Sequence, residues 1–330
     1  MTTKKTALVL GATGGIGGEV ARTLLQRGWT VRALHRQAER MAKSDTSGLI
    51  WLAGDAMQQA DVVAAAEGAA LIVHAVNPPG YRNWGTVVMP MLENSIAAAK
   101  AHGGRILLPG TVYNFGEAEF PNVREDAPQQ PRTRKGAIRV QMESRLRQAA
   151  ADGVRTLIVR AGDYFGPSAA NNWFSMMVKA GRPVTSVTKI GAAGIGHQWG
   201  YLPDVAETMV RLIEREESLR TFESMHMAGH WDDDGTRMVA AIKRVVGNPK
   251  LRTTSFPWWV VNLTWPFVRL FREVHEMRYL WKVPLRLRND RLIELLGKEP
   301  HTPLDTAIRT VLMGQGCLAA DGKETAAVAR

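Results

Sequence analysis

The 330-residue chain is 45% hydrophobic and 22% charged, an ordinary globular composition for one large α/β domain or a nucleotide domain with a smaller lobe. Its net charge of +11 comes from 42 Lys and Arg against 31 Asp and Glu, and its arginines are scattered from Arg22 to Arg330 with no basic run or nucleic-acid motif, so nucleic acid is not an expected partner. Cys317 is the only cysteine, which excludes an internal disulfide and fits a reducing cytoplasm, and the apolar run after Lys4-Lys5 is too short for a signal peptide.

Ala7-Leu8-Val9-Leu10 has the length and composition of a buried parallel strand. It runs into Gly11-Ala12-Thr13-Gly14-Gly15-Ile16-Gly17, and from Ile16 the pattern becomes helical, with Val20, Leu24 and Leu25 on the same face and Gly28 closing the segment. A strand, a glycine turn and a helix form the arrangement that binds a dinucleotide pyrophosphate: the glycines let the backbone approach the phosphates, and the helix start offers free N–H groups. Gly11, Thr13, Gly14, Gly15, Ile16 and Gly17 are the expected cofactor contacts in this turn. The spacing is Gly-x-x-Gly-x-x-Gly, which differs from the usual dinucleotide fingerprint.

A second strand, Trp29 to Leu34, ends at His35-Arg36, where an acidic residue would select the ribose 2′-hydroxyl of NAD and an arginine the 2′-phosphate of NADP. Arg36 stands there with Arg40 one turn on, so NADP is preferred, with NAD the other option. The third strand, Leu49 to Leu52, leads to Gly54-Asp55-Ala56. Asp55 is placed either to accept from the adenine amino group or to cap the helix beginning near Gln58, and Ala56 lies beside it. Ala69 to His74 is the fourth strand, whose end, including Ala75 and Asn77, should line the cofactor crevice, while Tyr81 in the following turn suits a substrate loop. A helix over 86–102, a fifth strand Arg105 to Leu108 ending at Thr111-Val112-Tyr113, a helix over 139–151 and a sixth strand Thr156 to Arg160 complete an alternation that predicts a parallel, doubly wound sheet.

The glycine turn and Gly54-Asp55, with three more landmarks, make the chain similar to the extended or atypical branch of the short-chain dehydrogenase/reductase superfamily, the NAD(P)-dependent epimerase/dehydratase-like proteins. The further landmarks are Arg160 to Pro167, Tyr201-Leu202-Pro203-Asp204-Val205-Ala206, and Leu295 to Leu304. The resemblance implies a Rossmann domain over 1–165, a smaller, interwoven substrate lobe over 166–330, a cofactor contact from Arg160 and a substrate contact from Tyr164, while Trp199, just before the Tyr201 segment, is itself placed to face the substrate. It also implies a Ser or Thr after the fifth strand, which Thr111 fits, followed by Tyr-x-x-x-Lys on the next helix. Lys135 stands at that tyrosine position and Arg139 at the lysine position. Lys135 as acid or base, or Tyr113 as the phenol, are the expected replacements, with Arg139 beside them and Tyr81, Tyr164 and Tyr201 as more distant candidates for the phenol. The preferred function is oxidoreduction of a carbonyl/alcohol pair on a small organic substrate. The alternatives are a sugar-nucleotide epimerase or dehydratase and a non-catalytic NADP(H) sensor.

In the second half, Asn171 to Ala180 predicts a helix, Pro183 to Gly196 a strand and loop, and Phe222 to Met227 a strand of the lobe. Asp232-Asp233-Asp234-Gly235 lacks the terminal glutamate of a calcium loop and reads as the cap of a helix over 236–246; no metal is expected. The Trp-rich stretch Phe256 to Trp281 is too interrupted for the ~20-residue span of a membrane. It is read as a buried helix, a substrate lid or an interfacial helix, leaving interfacial contact open. Ala319 to Arg330 reads as a frayed tail, and a homodimer is one option for assembly.

Overall fold

Ala7 and Val9 turn to one side of the first strand and Leu8 and Leu10 to the other, and all four are buried, as a strand in the middle of a covered sheet requires. The computed structural model describes residues 5–78, 84–169 and 172–318. Its main sheet is built from β1 (Thr6–Leu10), β2 (Thr30–His35), β3 (Ile50–Ala53), β4 (Leu71–His74) and β5 (Arg105–Gly110), after which the two-residue β6 (Asn122–Val123) lies apart and β7 (Thr156–Arg160) returns. The strand order is β3-β2-β1-β4-β5-β7-β11, all parallel, where β11 is Phe222–His226. This is the doubly wound Rossmann arrangement expected from the alternation of strands and helices.

Helices cover both faces. α1 (Gly15–Gln26) packs on one face; α2 (Ala38–Ser44) follows β2, and α3 (Gln59–Ala65), α4 (Trp84–His102) and α5 (Arg134–Ala151) cover the other face. On α1, Val20 and Leu24 join Val205, Met209 and Leu212 of α6 (Leu202–Ile213), while Leu92, Ile96, Met142 and Leu146 fill the opposite side. α5 starts at Arg134, one turn earlier than its apolar pattern indicates, because the Thr133 hydroxyl accepts from the Gly136 amide and caps it. Lys135 and Arg139 therefore both ride on this helix.

The lobe carries β8 (Asp163–Phe165), β9 (Ser186–Lys189), β10 (His197–Tyr201) and β12 (His230–Asp232). It continues through α7 (Arg237–Val246), β13 (Arg252–Ser255), α8 (Trp258–Thr264), α9 (Arg269–Glu276), β14 (Arg286–Leu287), α10 (Asp290–Leu296) and α11 (Leu304–Gly314). A three-stranded sheet, β12-β10-β8, stacks on a core of Phe165, Phe174, Trp199, Met238, Ile242, Trp281 and Leu312. Three expectations are corrected. Phe222 to His226 is the edge strand of the main sheet, paired with β7 from Phe222↔Thr156 to His226↔Arg160, and does not belong to the lobe. The segment expected as a helix from Asn171 keeps only one 3₁₀ turn, Phe174–Met176, with Asn171 itself outside the described residues; Asn172 accepts from the Ser175 amide and closes the turn locally. The Trp-rich stretch is two short helices, α8 and α9, broken where Pro266 interrupts it. The tail from Ala319 lies outside the described residues.

Two sequence landmarks clip the lobe to the sheet domain. The Asp204 carboxylate at the start of α6 accepts from both the amide and the hydroxyl of Thr302, each at 2.7 Å. Glu299 accepts from the amides of Ala228 and Gly229 at 2.8 and 2.7 Å. Asp232 accepts from the amides of Arg237 and Met238 at 3.0 and 2.9 Å, and Asp234 from Thr236, so these carboxylates serve the start of α7.

Candidate active site

The sheet reverses its order between β1 and β4, and the glycine turn lies at that switch point, where ligands of such sheets bind. Gly11 has φ +93, and a Cβ on it would fall 2.6 Å from the Ala75 carbonyl oxygen. A Cβ on Gly17 would collide with the Gly11 carbonyl, so the turn is closed down to the backbone. The Gly14 amide donates to Gly11 O at 2.9 Å and Gly14 takes the N-cap of α1, whose first turn carries no acidic side chain. Thr13 and Gly14 are exposed and Gly15 and Ile16 half-buried, leaving the positive helix end facing the crevice. The cradle thus has the form and field that fit a pyrophosphate.

At the β2 and β3 ends, His35 Nδ1 accepts from the Gln37 amide at 3.0 Å and its ring meets Trp51 edge-on at 6.0 Å. Arg36 and Arg40 are exposed, and no carboxylate pairs with Arg36 among the described residues. Asp55 Oδ1 accepts from the Met57 amide at 3.0 Å and Asp61 holds the Asp55 amide at 2.8 Å, fixing the carboxylate at the strand end. The Ala56 carbonyl accepts from Asn94 at 2.8 Å. Asn77 is exposed and accepts from the Trp84 indole N–H; Tyr81 lies outside the described residues.

The end of β5 gathers the remaining groups. Arg139 donates to the Pro109 carbonyl at 3.3 Å and lies 5.3 Å over the Trp84 ring; the Tyr164 hydroxyl lies 3.5 Å from the Gly110 carbonyl; Thr111 donates to Asn114 Oδ1 at 3.2 Å. Burial pushes the Tyr164 phenol up to about 12, with Arg139 and Arg160 pulling the other way. His74, bonded to Ser95 Oγ at 2.8 Å, is held down at about 3 by burial and then by the Arg139 charge, so it stays neutral.

The profile of the NAD dependent epimerase/dehydratase family matches residues 7–228. The chain belongs to this family. Solved structures of similar fold include L-threonine dehydrogenase from Clostridium difficile (18% identity, 95% of this chain and 99% of that one, TM-score 0.73). Another is UDP-glucose 4-epimerase of Thermotoga maritima with UDP-glucose (13%, 94% and 98%, TM-score 0.72). A third is the Bordetella bronchiseptica enzyme WbmH in complex with NAD+ (19%, 95% and 99%, TM-score 0.69). These likenesses establish the fold; no curated protein matches the chain significantly.

Several expectations based on the family pattern are placed differently by the structure. Arg160, expected at the cofactor, is 0% exposed and engaged by groups of the protein interior. Its Nη2 donates to both oxygens of Glu143 at 2.8 Å, its Nη1 to the Thr111 carbonyl and its Nε to His226 Nε2 at 3.3 Å. Glu143 also accepts from Asn114 at 2.8 Å and Gln129 at 2.7 Å. This buried network anchors the loop after β5. Sequence reading missed Asn114, Gln129 and His226, because only the β7–β11 register brings His226 opposite Arg160.

Lys135 is 4% exposed, with Nζ 2.5 Å from a Glu273 carboxylate oxygen and 2.9 Å from Glu276 Oε2, while its amide donates to Glu276 Oε1 at 3.0 Å. In place of an open amine at the site, it presents an ion pair that ties α9 to the start of α5. Trp199, expected to face substrate, is 2% exposed in the lobe interior between Phe165 and His197. His197 bonds Asp163 at 2.9 Å and stacks on Trp281 at 3.7 Å. Tyr113 is half-buried against the lobe core, and its carbonyl closely approaches Gly136.

Proposed function

We propose that the chain binds NADP(H) in the β1–β4 crevice and catalyses hydride transfer on the carbonyl/alcohol pair of a small organic substrate. The observation that carries this reading is the convergence of Arg139, Thr111 and the Tyr164 hydroxyl on the Pro109–Thr111 edge at the end of β5, separated from the glycine turn after β1 by the single strand β4. When bound, the nicotinamide supplies or accepts the hydride. The amides of the Gly11–Gly17 turn hold the pyrophosphate, Asp55 takes the adenine amino group, and Arg36 takes the 2′-phosphate. Arg139 provides the fixed positive charge at the end of β5, in the helix position where the family pattern has lysine. Tyr164 gives its proton to the developing alkoxide in reduction and takes it back in oxidation, the Arg139 and Arg160 charges easing its ionisation, while Thr111 orients the oxygen. With Lys135 engaged by Glu273 and Glu276, Tyr164 is preferred over Lys135 and Tyr113 for the proton.

The test is NADPH consumption with a panel of aldehydes and ketones. Tyr164→Phe is expected to lower turnover by about 100-fold or more while leaving NADPH affinity within about twofold. Unchanged turnover in this variant overturns the assignment of the proton to Tyr164. Family membership favours a second reading, sugar-nucleotide epimerisation. A dinucleotide that co-purifies and leaves only on denaturation supports that reading over a dehydrogenase.

A further inference from the structure

We infer that the outer side of the α8–α9 segment docks on an anionic lipid surface. Nine large hydrophobic residues are exposed among the described residues, and six of them fall within 259–270: Trp259, Leu263, Trp265, Phe267, Val268 and Leu270. Their exposure is high, 70% for Trp259, 68% for Leu263, 86% for Phe267 and 62% for Leu270, whereas scattered single apolar residues are the norm on a soluble surface. The segment is not loose. From its inner side Val261 and Val274 enter the lobe core, the Trp258 indole donates to the Ile190 carbonyl at 2.8 Å, and Thr264 bonds Val260 O at 2.7 Å. The apolar side chains therefore point outward from a held backbone, one turn apart at Trp259 and Leu263.

Charge decides what covers them. From Gly235 to Asn289 the chain carries eleven Lys and Arg residues and two acidic ones, Glu273 and Glu276. Both glutamates are bound to Lys135 on the inner side, while Arg269, Arg272 and Lys282 are exposed beside the patch. Trp and Phe flanked by arginine suit the headgroup layer, with apolar rings at the acyl boundary and guanidinium groups at lipid phosphates. A second copy of the chain would bring the same cationic stretch against itself, so it is the disfavoured occupant. In the described residues no helix is long and apolar enough to cross a membrane, so the contact is interfacial.

The experiment is co-sedimentation of the full chain with vesicles of phosphatidylcholine alone and of phosphatidylcholine with phosphatidylglycerol, alongside sedimentation velocity without lipid. The expected result is retention on the anionic vesicles, weakened by salt. Trp259→Ser/Phe267→Ser and, separately, Arg269→Glu/Arg272→Glu should each reduce it at least about tenfold. These positions are exposed, and an unchanged melting temperature shows that each variant is folded. Failure to bind anionic vesicles, equal retention on neutral ones, or retention unaltered in both variants overturns the proposal. So does self-association that Trp259→Ser/Phe267→Ser abolishes in a chain that ignores lipid.

Discussion

Removing the Arg160 guanidinium would leave the Glu143 carboxylate, buried beside Asn114 and Gln129, without its cation. Both side chains are almost fully enclosed, 1% and 5% exposed, so Arg160→Met is expected to cost about 3–5 kcal/mol in urea unfolding. A loss below about 1 kcal/mol would show that the network is not a structural anchor. Gly17→Ala tests the crevice itself: its Cβ meets the Gly11 carbonyl, which belongs to the backbone and cannot swing away. The expected result is loss of dinucleotide binding together with about 3 kcal/mol of stability; retained affinity would contradict the cradle. At this scale the glycines were legible because spacing and context specify a turn chemically. The Arg160 partners were not, since an arginine after a strand looks the same whether it meets a phosphate or a glutamate seventeen residues earlier.

Lys135 joins two elements separated by 138 residues to Glu273 and 141 to Glu276, and its role is set by that tertiary contact alone. The two glutamates are each about a quarter exposed, 26% and 24%, so Lys135→Met should cost only about 1–2 kcal/mol after allowing for solvent screening. The more telling readout is hydrogen exchange, expected to accelerate over 258–281 and leave β1 and β4 protected. Uniform protection across the variant would separate α9 from α5. The six strands of the nucleotide domain were legible from their short apolar runs, all of which became central or flanking strands. The seventh, β11, falls on the main sheet and not in the lobe, because the mixed five-residue segment Phe-Glu-Ser-Met-His carries no apolar pattern that says which sheet edge receives it. The interruptions at Asn262, Thr264 and Pro266 were visible in the sequence, but whether they end a helix or are carried within one is set by the packing of α8 and α9 on the lobe.

Taken over the molecule, three buried histidines make stability depend on pH. Burial holds His74 at about 3, aided by Arg139, His230 at about 4, aided by His301 and Arg237, and His226 well below its ordinary 6.5, aided by Arg160. All three stay neutral in the fold but take a proton near 6.5 once unfolded, so below that pH the unfolded state binds more protons. Their contribution is complete above about 6.5 and is lost as the pH falls toward the folded values, with a limiting slope of about 1.4 kcal/mol per pH unit per histidine. Urea midpoints that fall steadily below pH about 6.5, less steeply in His74→Gln, are expected; a flat profile would contradict the burial of these rings. The fold and the location of the cofactor crevice were thus readable from strand–turn–helix order. The use of Lys135, Arg160 and Trp199 was hidden in contacts that only the packed lobe creates. The proposed NADP preference of the crevice turns on Arg36, exposed at the end of β2. Calorimetric titration of NADP and NAD into the chain and into Arg36→Asp tests this directly. NADP should bind at least about tenfold more tightly than NAD, with the order reversed in the variant. Binding of neither dinucleotide, or a preference that Arg36→Asp leaves unchanged, would contradict it.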